Sequence, residues 1–294
     1  MTEVVELDDG VAIRGTFPGE DVLAYILRAT GGNLPLVIAD PPYGNVVDEE
    51  WDDLGEDDEA VAEWMIDWTR RIEALSCPRA ALYVWGGIGR PLFRPFYRYF
   101  VAIERRSGYR VANQITWKKK RAYGIQHNYL FAREELAYLH LGEDIKQPRC
   151  FNIPLLDTKR GYAGYNKKYP AKSEFYRRTN VWDDVTEILR DKLHIAQKAG
   201  RLHEVPIEVH THPGEWVLDP FAASGTTAVA ARKLGRRFVV VEQDPATFEE
   251  MVARLRSSEW AKEQKVRSKP RPSRQERPPD ALAASPPLDL FNRV

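Results

Sequence analysis

No run of about 18 or more apolar residues occurs in the chain, and no charged-then-apolar leader opens it. The expectation is a soluble, unexported, cytoplasmic protein with no membrane partner. Cysteine is almost missing: Cys77 and Cys150 are the only two, far apart and outside any C-x-x-C pattern. That argues against a disulfide framework or a structural zinc site and fits a reducing compartment. Net charge is missing as well, with 43 basic residues balancing 43 acidic ones. Taken alone, this balance speaks against a nucleic-acid partner. There is no internal repeat.

The average hides an asymmetry. Residues 47 to 67 are strongly acidic, which reads as a solvated helix face or loop. "KRGYAGYNKKYPAKSEFYRR" (159–178) carries seven basic residues and one acid, interleaved with tyrosines. "KKKR" (118–121) is a second basic cluster. Cations that neutralise phosphates, mixed with rings that stack on bases, form a nucleic-acid footprint. It makes Lys118, Lys119, Lys159, Arg160, Lys167, Lys168 and Arg177 candidate DNA contacts. An ordinary solvated loop explains the same composition equally well.

Short apolar segments alternate with helical ones. Strands are expected at 34–40, 80–85, 111–117, 135–141, 215–219 and 237–242. "AVAEWMIDWTRRIEAL" (60–75) puts Val61, Trp64, Met65, Trp68 and Ile72 on one helical face, and "GTTAVAARKLG" (225–235) is a second helix. Such alternation predicts an α/β fold with a doubly wound, Rossmann-like sheet. Residues 143–180 read as an irregular insertion suited to substrate recognition. After about residue 264 the chain turns rich in Pro, Arg, Ser and Ala, which predicts a disordered tail over 264–294. The expected division is therefore a domain over 1–263 and that tail.

"VLDPFAASGTT" (217–227) has the form of a nucleotide-type cofactor site. A strand delivers Asp219 to its C-terminal edge, small residues let backbone N–H groups approach a ligand, and a helix begins at once. The next strand ends in Glu242, whose carboxylate suits the two hydroxyls of a ribose. No lysine follows the glycine, so this is not a phosphate-binding P-loop. A carboxylate-lined pocket without cations suits S-adenosylmethionine, a sulfonium cation bearing a ribose. A plain Gly/Ser turn between strand and helix is the bland alternative.

With "VIADPPYGN" (37–45) placed far upstream of that segment, the chain resembles the β-class amino-methylating DNA methyltransferases, which act on adenine N6 or cytosine N4. "ITWKK" (115–119), "REELAYL" (133–139), "NVWDDV" (180–185) and "HIAQK" (194–198) add to the likeness, which covers most of residues 34 to 255. The resemblance implies a methyltransferase sheet, mostly parallel with an antiparallel strand, in permuted motif order. It also implies direct transfer to the exocyclic amine of a flipped-out base in double-stranded DNA. Asp40 and the Pro41 carbonyl would each accept an amine N–H, Pro42 would keep the turn rigid, and Tyr43 would stack on the base. Asp219, Phe221, Ala223, Ser224, Gly225, Thr226 and Glu242 would line the cofactor, helped by His194, Gln197 and Lys198, with Lys198 on its methionine carboxylate.

The aspartate of "DPPY" favours adenine N6 in the family. Cytosine N4, an RNA amine, or a catalytically weakened DNA-binding protein are the alternatives. Three departures stand out. Ala223 replaces the usual glycine, Ala199 the usual proline, and Thr16 follows Gly15 where an acid is common. His203, His210 and His212 match no zinc spacing, so no metal is expected. Trp51, Trp64, Trp68 and Trp85 read as core or helix-face residues, and "RPLFRPFYRYF" (90–100) as an amphipathic helix or a DNA grip. Dimers are common in the family. The end of the tail, "PLDLF" (287–291), resembles the peptide that docks on the bacterial sliding clamp through residues such as Leu288 to Phe291, with Pro287 in place of its first glutamine. A chance apolar terminus accounts for it as well.

Overall fold

The computed structural model describes residues 2–44, 52, 54–87, 89, 92–124, 126–159, 173–187 and 197–257. Trp51, Arg160, Lys167, Lys168, His194 and the 264–294 tail, with Leu288 to Phe291, lie outside the described residues. In chain order the strands are β1 (Glu3–Leu7), β2 (Gly10–Arg14), β3 (Leu34–Ala39), β4 (Ser76–Gly86), β5 (Tyr109–Tyr123), β6 (Phe131–Leu141), β7 (Leu155–Lys159), β8 (Phe175–Arg177), β9 (Val181–Trp182), β10 (Trp216–Asp219) and β11 (Arg237–Glu242). Helices α1 (Glu20–Thr30), α2 (Asp58–Leu75), α3 (Pro95–Arg106), α4 (Gly200–His210), α5 (Thr226–Lys233) and α6 (Pro245–Arg256) complete the set.

Among the described residues, nine strands form one sheet in the order β1-β2-β11-β10-β3-β4-β6-β5-β9. From β2 to β4 every neighbour is parallel. The expected antiparallel strand is β6, inserted between β4 and β5, and β1 adds a second antiparallel pairing at the far edge. Strand β3 is buried along its whole length because both faces are covered. Its side chains alternate accordingly. Leu36 and Ile38 pack with residues of α4, α5 and α6, whereas Val37 and Ala39 pack with α1, α2 and α3.

Helix α2 forms as its apolar spacing predicts, burying Val61, Met65, Trp68 and Ile72. The acidic stretch in front of it is not merely solvated, and here the structure corrects the expectation. Asp57 caps α2, its Oδ1 accepting from the backbone N–H of Glu59 (3.0 Å) and Ala60 (3.1 Å). Asp58 binds the Arg98 guanidinium at 2.7 Å. Asp52 is buried, only 1% exposed. The "RPLFRPFYRYF" segment contributes α3, with Phe96, Tyr99 and Ile103 inward. Within the 143–180 insertion, β7 and β8 pair as a separate antiparallel ribbon. The chain returns to the sheet at β9, which lies along β5 with Thr116 opposite Val181.

The histidines singled out in the sequence are placed apart. His203 bonds the Thr227 hydroxyl (2.8 Å). His210 Nδ1 donates to the Cys150 carbonyl (2.9 Å), and its Nε2 accepts from the Tyr83 hydroxyl (3.0 Å). Burial holds the His210 imidazole down at about 3, well below its ordinary value near 6.5. A base whose folded pKa is depressed adds stability above its unfolded pKa, and this is lost as pH falls toward the folded value. Between pH 6 and pH 4, His210→Gln should therefore flatten the pH dependence of unfolding by about 1.4 kcal/mol per pH unit. Urea titrations of both proteins across that range test this, and parallel slopes would show the ring to be accessible to protons.

Candidate active site at a topological switch point

Strands β3 and β10 lie side by side and parallel, Leu36 opposite Val217 and Val37 opposite Leu218. The chain leaves β3 for α2 on one face and β10 for α5 on the other. A crevice must open beyond their carboxyl ends, the usual ligand position in a doubly wound sheet. Asp40, one residue past β3, and Asp219, the last residue of β10, meet there, with Glu242 ending the adjacent β11.

The loop after β10 is shaped by hydrogen bonds to these carboxylates. Asp219 Oδ1 accepts from the Phe221 N–H (3.0 Å), and its Oδ2 accepts from the Thr227 hydroxyl. Burial raises the Asp219 carboxyl to about 7. Glu242 accepts from the backbone N–H of Ala223 (2.9 Å) and Asp244 (2.8 Å), which leaves acceptor capacity for further donors. Gly225 sits at φ +75° with no room for a side chain, because a Cβ would come 2.8 Å from Met251 Cγ. Ser224 lends its carbonyl to Arg254 (2.6 Å) and its hydroxyl pairs with Thr226 (3.3 Å). Phe221 turns away from the loop into a ring cluster with Phe17, Trp64 and Trp68 at 5.5–5.9 Å. The donor set suits a cofactor with a ribose and a positive centre. Acidic groups face the crevice, and no lysine or arginine lies between Asp219 and Arg232.

Ala223 adopts φ +44°, the left-handed region that favours glycine. Its Cβ makes the loop strained. Ala223→Gly should raise the unfolding free energy by about 1 kcal/mol. A urea midpoint that stays put or falls would mean that the strain is relieved elsewhere.

Around Asp40 stands a compact ionic cluster. Tyr43 donates its hydroxyl proton to Asp40 Oδ1 (2.9 Å), and its oxygen lies 3.4 Å from Glu134 Oε2. The Lys198 ammonium donates to Asp40 Oδ2 (2.5 Å) and to the Tyr43 hydroxyl (3.1 Å), and stands 3.2 Å from Glu134 Oε2. Lys119 pairs with the other Glu134 oxygen. Burial raises the Asp40 carboxyl above the usual carboxylate range, against the pull of Lys198. Burial would also raise Glu134, yet Lys198 and Lys119 together hold it below its ordinary value. Asp52 fixes the turn itself, since its Oδ1 accepts from the N–H groups of both Tyr43 (2.8 Å) and Gly44 (2.9 Å). Pro41 is buried and Pro42 half-buried in the same turn.

The structure thus brings together Asp40, Pro41, Pro42, Tyr43, Asp219, Ala223, Ser224, Gly225, Thr226, Glu242 and Lys198, whereas the Phe221 ring, expected to line the cofactor, packs against Phe17, Trp64 and Trp68. Gln197 precedes Lys198 in the described chain. Lys198 reaches Asp40, where the resemblance implied the cofactor's carboxylate. Lys119 points into the cluster, only 25% exposed, where a DNA contact was expected. Lys118 and Arg177 are exposed, and Lys159 is exposed beside Glu174 (3.7 Å). Sequence reasoning missed Asp52, Glu134 and Thr227. For Glu134 a signal existed. In "REEL" two adjacent acids on one strand must face opposite sides, and only Glu134 meets the cluster, while Glu135 bonds Gln114 and Thr116.

A Rossmann-like sheet with paired acidic loops at its switch point defines the class of cofactor-dependent methyltransferases. Within it, the N6/N4 DNA methylase family matches residues 34–253, and this chain belongs to that family. S-adenosylmethionine is the family's methyl donor and hence the cofactor here. Among curated proteins the chain is 25% identical over 239 residues to the type II methyltransferase M2.DpnII of Streptococcus pneumoniae, covering 76% of this chain and 83% of that one. It is 24% identical to the type II methyltransferase M.BamHI of Bacillus amyloliquefaciens, spanning 76% of this chain but only 53% of the relative. Among solved structures, the cytosine-N4-specific PvuII DNA methyltransferase superposes with TM-score 0.64 at 15% identity, over 85% of this chain and 88% of that one. The M1.HpyAVI–SAM complex gives TM-score 0.56 at 23% identity, over 81% and 95%. Both likenesses concern the fold.

Proposed function

We propose that the chain methylates the N6 amine of adenine in double-stranded DNA, with cytosine N4 as the second reading. The observation that carries this is the meeting of Asp40 with the Asp219–Glu242 loop at one switch point. S-adenosylmethionine, when bound, supplies a methyl group activated by its sulfonium. Glu242 would accept from the ribose hydroxyls, and the loop from Phe221 to Thr226 would enclose the remainder.

The substrate amine is a weak nucleophile because its lone pair is delocalised into the ring. Asp40 accepts one N–H and the Pro41 carbonyl the other, which draws the nitrogen towards tetrahedral geometry and aims its lone pair. Asp52 keeps that turn in place through the Tyr43 and Gly44 amides. Tyr43 holds Asp40 through its hydroxyl, and its ring stays half-exposed to meet a base lifted from the duplex. The target base must leave the helix, since the carboxylates sit at the bottom of a crevice.

The β5–β6 hairpin supplies the DNA face in this reading. Lys118 and Arg121 are exposed along it, and Tyr129, Leu130 and Phe131 are exposed at its tip by 92%, 60% and 46%. Cations beside uncovered rings suit backbone contact with base stacking. Arg177 and Lys159, exposed on the β7–β8 ribbon, are further candidates within the segment (143–180) assigned to target recognition. Lys118→Ala and Arg121→Ala should each weaken DNA binding across unrelated sequences and lower the salt slope by about one. Anisotropy titrations at several salt concentrations measure this, and an unchanged slope would move the DNA face elsewhere.

Relatives of the type II kind suggest a place in a restriction–modification system and in the cytoplasm. The enzymatic test is direct. Plasmid incubated with purified protein and S-adenosylmethionine is digested to nucleosides and analysed by mass spectrometry. N6-methyldeoxyadenosine supports the proposal, N4-methyldeoxycytidine selects the second reading, and methylation confined to RNA overturns both. Absence of any cofactor binding in calorimetry would favour a protein that only binds DNA.

A further inference from the structure

Lys198 is held on the substrate side of the crevice. An ammonium has three N–H donors, and here three acceptors surround it: Asp40 Oδ2 at 2.5 Å, the Tyr43 hydroxyl at 3.1 Å and Glu134 Oε2 at 3.2 Å. Its side chain is only 7% exposed and lies over the Trp85 ring, 4.9 Å from the centroid. Moving it to a distant ligand would leave Asp40 and Glu134 as two carboxylates facing one another with little water. Removing one member of such a cluster is strongly destabilising. Asp40 and Glu134 raise the ammonium's own pKa against the effect of burial, so the cation persists at neutral pH.

An amine that reaches Asp40 therefore arrives beside a fixed ammonium. The ring atom next to the amine is what Lys198 meets. In adenine that atom is N1 and in cytosine it is N3, both hydrogen-bond acceptors. On the Watson–Crick edge of guanine the N1 beside the amine carries a proton, as does N3 of thymine and uracil next to their carbonyls. An ammonium matches the first pair and repels the second. We propose that Lys198 is a specificity residue that donates a hydrogen bond to the ring nitrogen adjacent to the target amine. Glu134, anchored by Lys119, holds it in that position. The bond to the Tyr43 hydroxyl, the one made to a neutral acceptor, is the one exchanged for the ring nitrogen. This inference rests on the reading of the protein as an amine methyltransferase.

The experiment uses duplexes in which the methylated base is replaced by its analogue with that ring nitrogen changed to C–H: 1-deazaadenine, or 3-deazacytosine if cytosine is the target. For the wild-type protein, kcat/KM on the analogue should fall about 10- to 100-fold, the usual loss for a bond to a charged donor. In Lys198→Met, which has no donor, the same replacement should cost nearly nothing. The analogue also alters the amine's own reactivity, but equally for both proteins, so the ratio of ratios isolates the contact. Lys198→Met combined with Glu134→Gln removes one charge of each sign and serves if the single variant is too slow. Equilibrium binding of both duplexes, compared between wild-type and variant proteins, reads the same contact without turnover, because the easier flipping of the weakened base pair is common to both.

Equal penalties in wild-type and variant proteins, whether in turnover or in binding, would overturn the assignment. A wild-type protein that methylates no unmodified DNA defeats the functional reading instead, and this inference with it. The two failures are thus told apart by the unmodified duplex.

Discussion

Asp40→Ala is expected to lower the methylation rate by about 1000-fold or more while leaving S-adenosylmethionine affinity nearly unchanged. Asp40 ends the central strand and is the carboxylate that the buried Lys198 and Tyr43 aim at the crevice. Its removal deletes the group proposed to strip the amine of conjugation. Asp219 and Glu242, which build the cofactor loop, keep all their hydrogen bonds. Lys198 keeps Glu134 and the Tyr43 hydroxyl, so the cluster retains a partner for its cation. Single-turnover methylation and calorimetry on the same preparation decide the matter. An active variant would refute the role of Asp40, and a variant that no longer binds the cofactor would show that the two halves of the crevice are not separable.

Glu242→Ala should have the opposite profile. Loss of its carboxylate removes the acceptor offered to a ribose and strands the Ala223 and Asp244 N–H groups that it now satisfies. Cofactor affinity should fall about 100-fold, as expected for charged hydrogen bonds lost from a mostly buried site. Ala223 depends on this bond more than a glycine would, because its φ of +44° must be held against steric cost. At saturating cofactor, turnover should largely recover. A variant that binds normally would place the ribose elsewhere, and one that binds normally yet turns over slowly would give Glu242 a chemical role.

Much of this arrangement was legible in the residues, for a physical reason. Strands β3, β4, β10 and β11 are covered on both faces, so each appears as an apolar run, and two of them end in the carboxylates that matter. The edge elements escaped. Strand β1 is exposed or half-buried throughout, β2 buries only Gly10, Ala12 and Ile13, and the pair carries Glu3, Glu6 and Arg14, which blurs the pattern. Helix α4 hides behind Pro206 in its middle. Asp52 was invisible among its acidic neighbours, since nothing in composition tells a buried carboxylate that holds two amides from a solvated one. Lys198 was noticed, but a motif cannot say which of two ligands a long side chain faces. In the folded chain three acceptors, Asp40, Tyr43 and Glu134, converge on it.

The pairing of β3 with β10 joins segments far apart in the chain, Leu36 with Val217. During synthesis the apolar edge of β3 must therefore wait, unpaired, until Val217 and Leu218 leave the ribosome. Non-local parallel pairing of this kind makes folding slow and leaves partly built chains sticky. The same adjacency that assembles the crevice thus leaves a strand edge uncovered through much of synthesis.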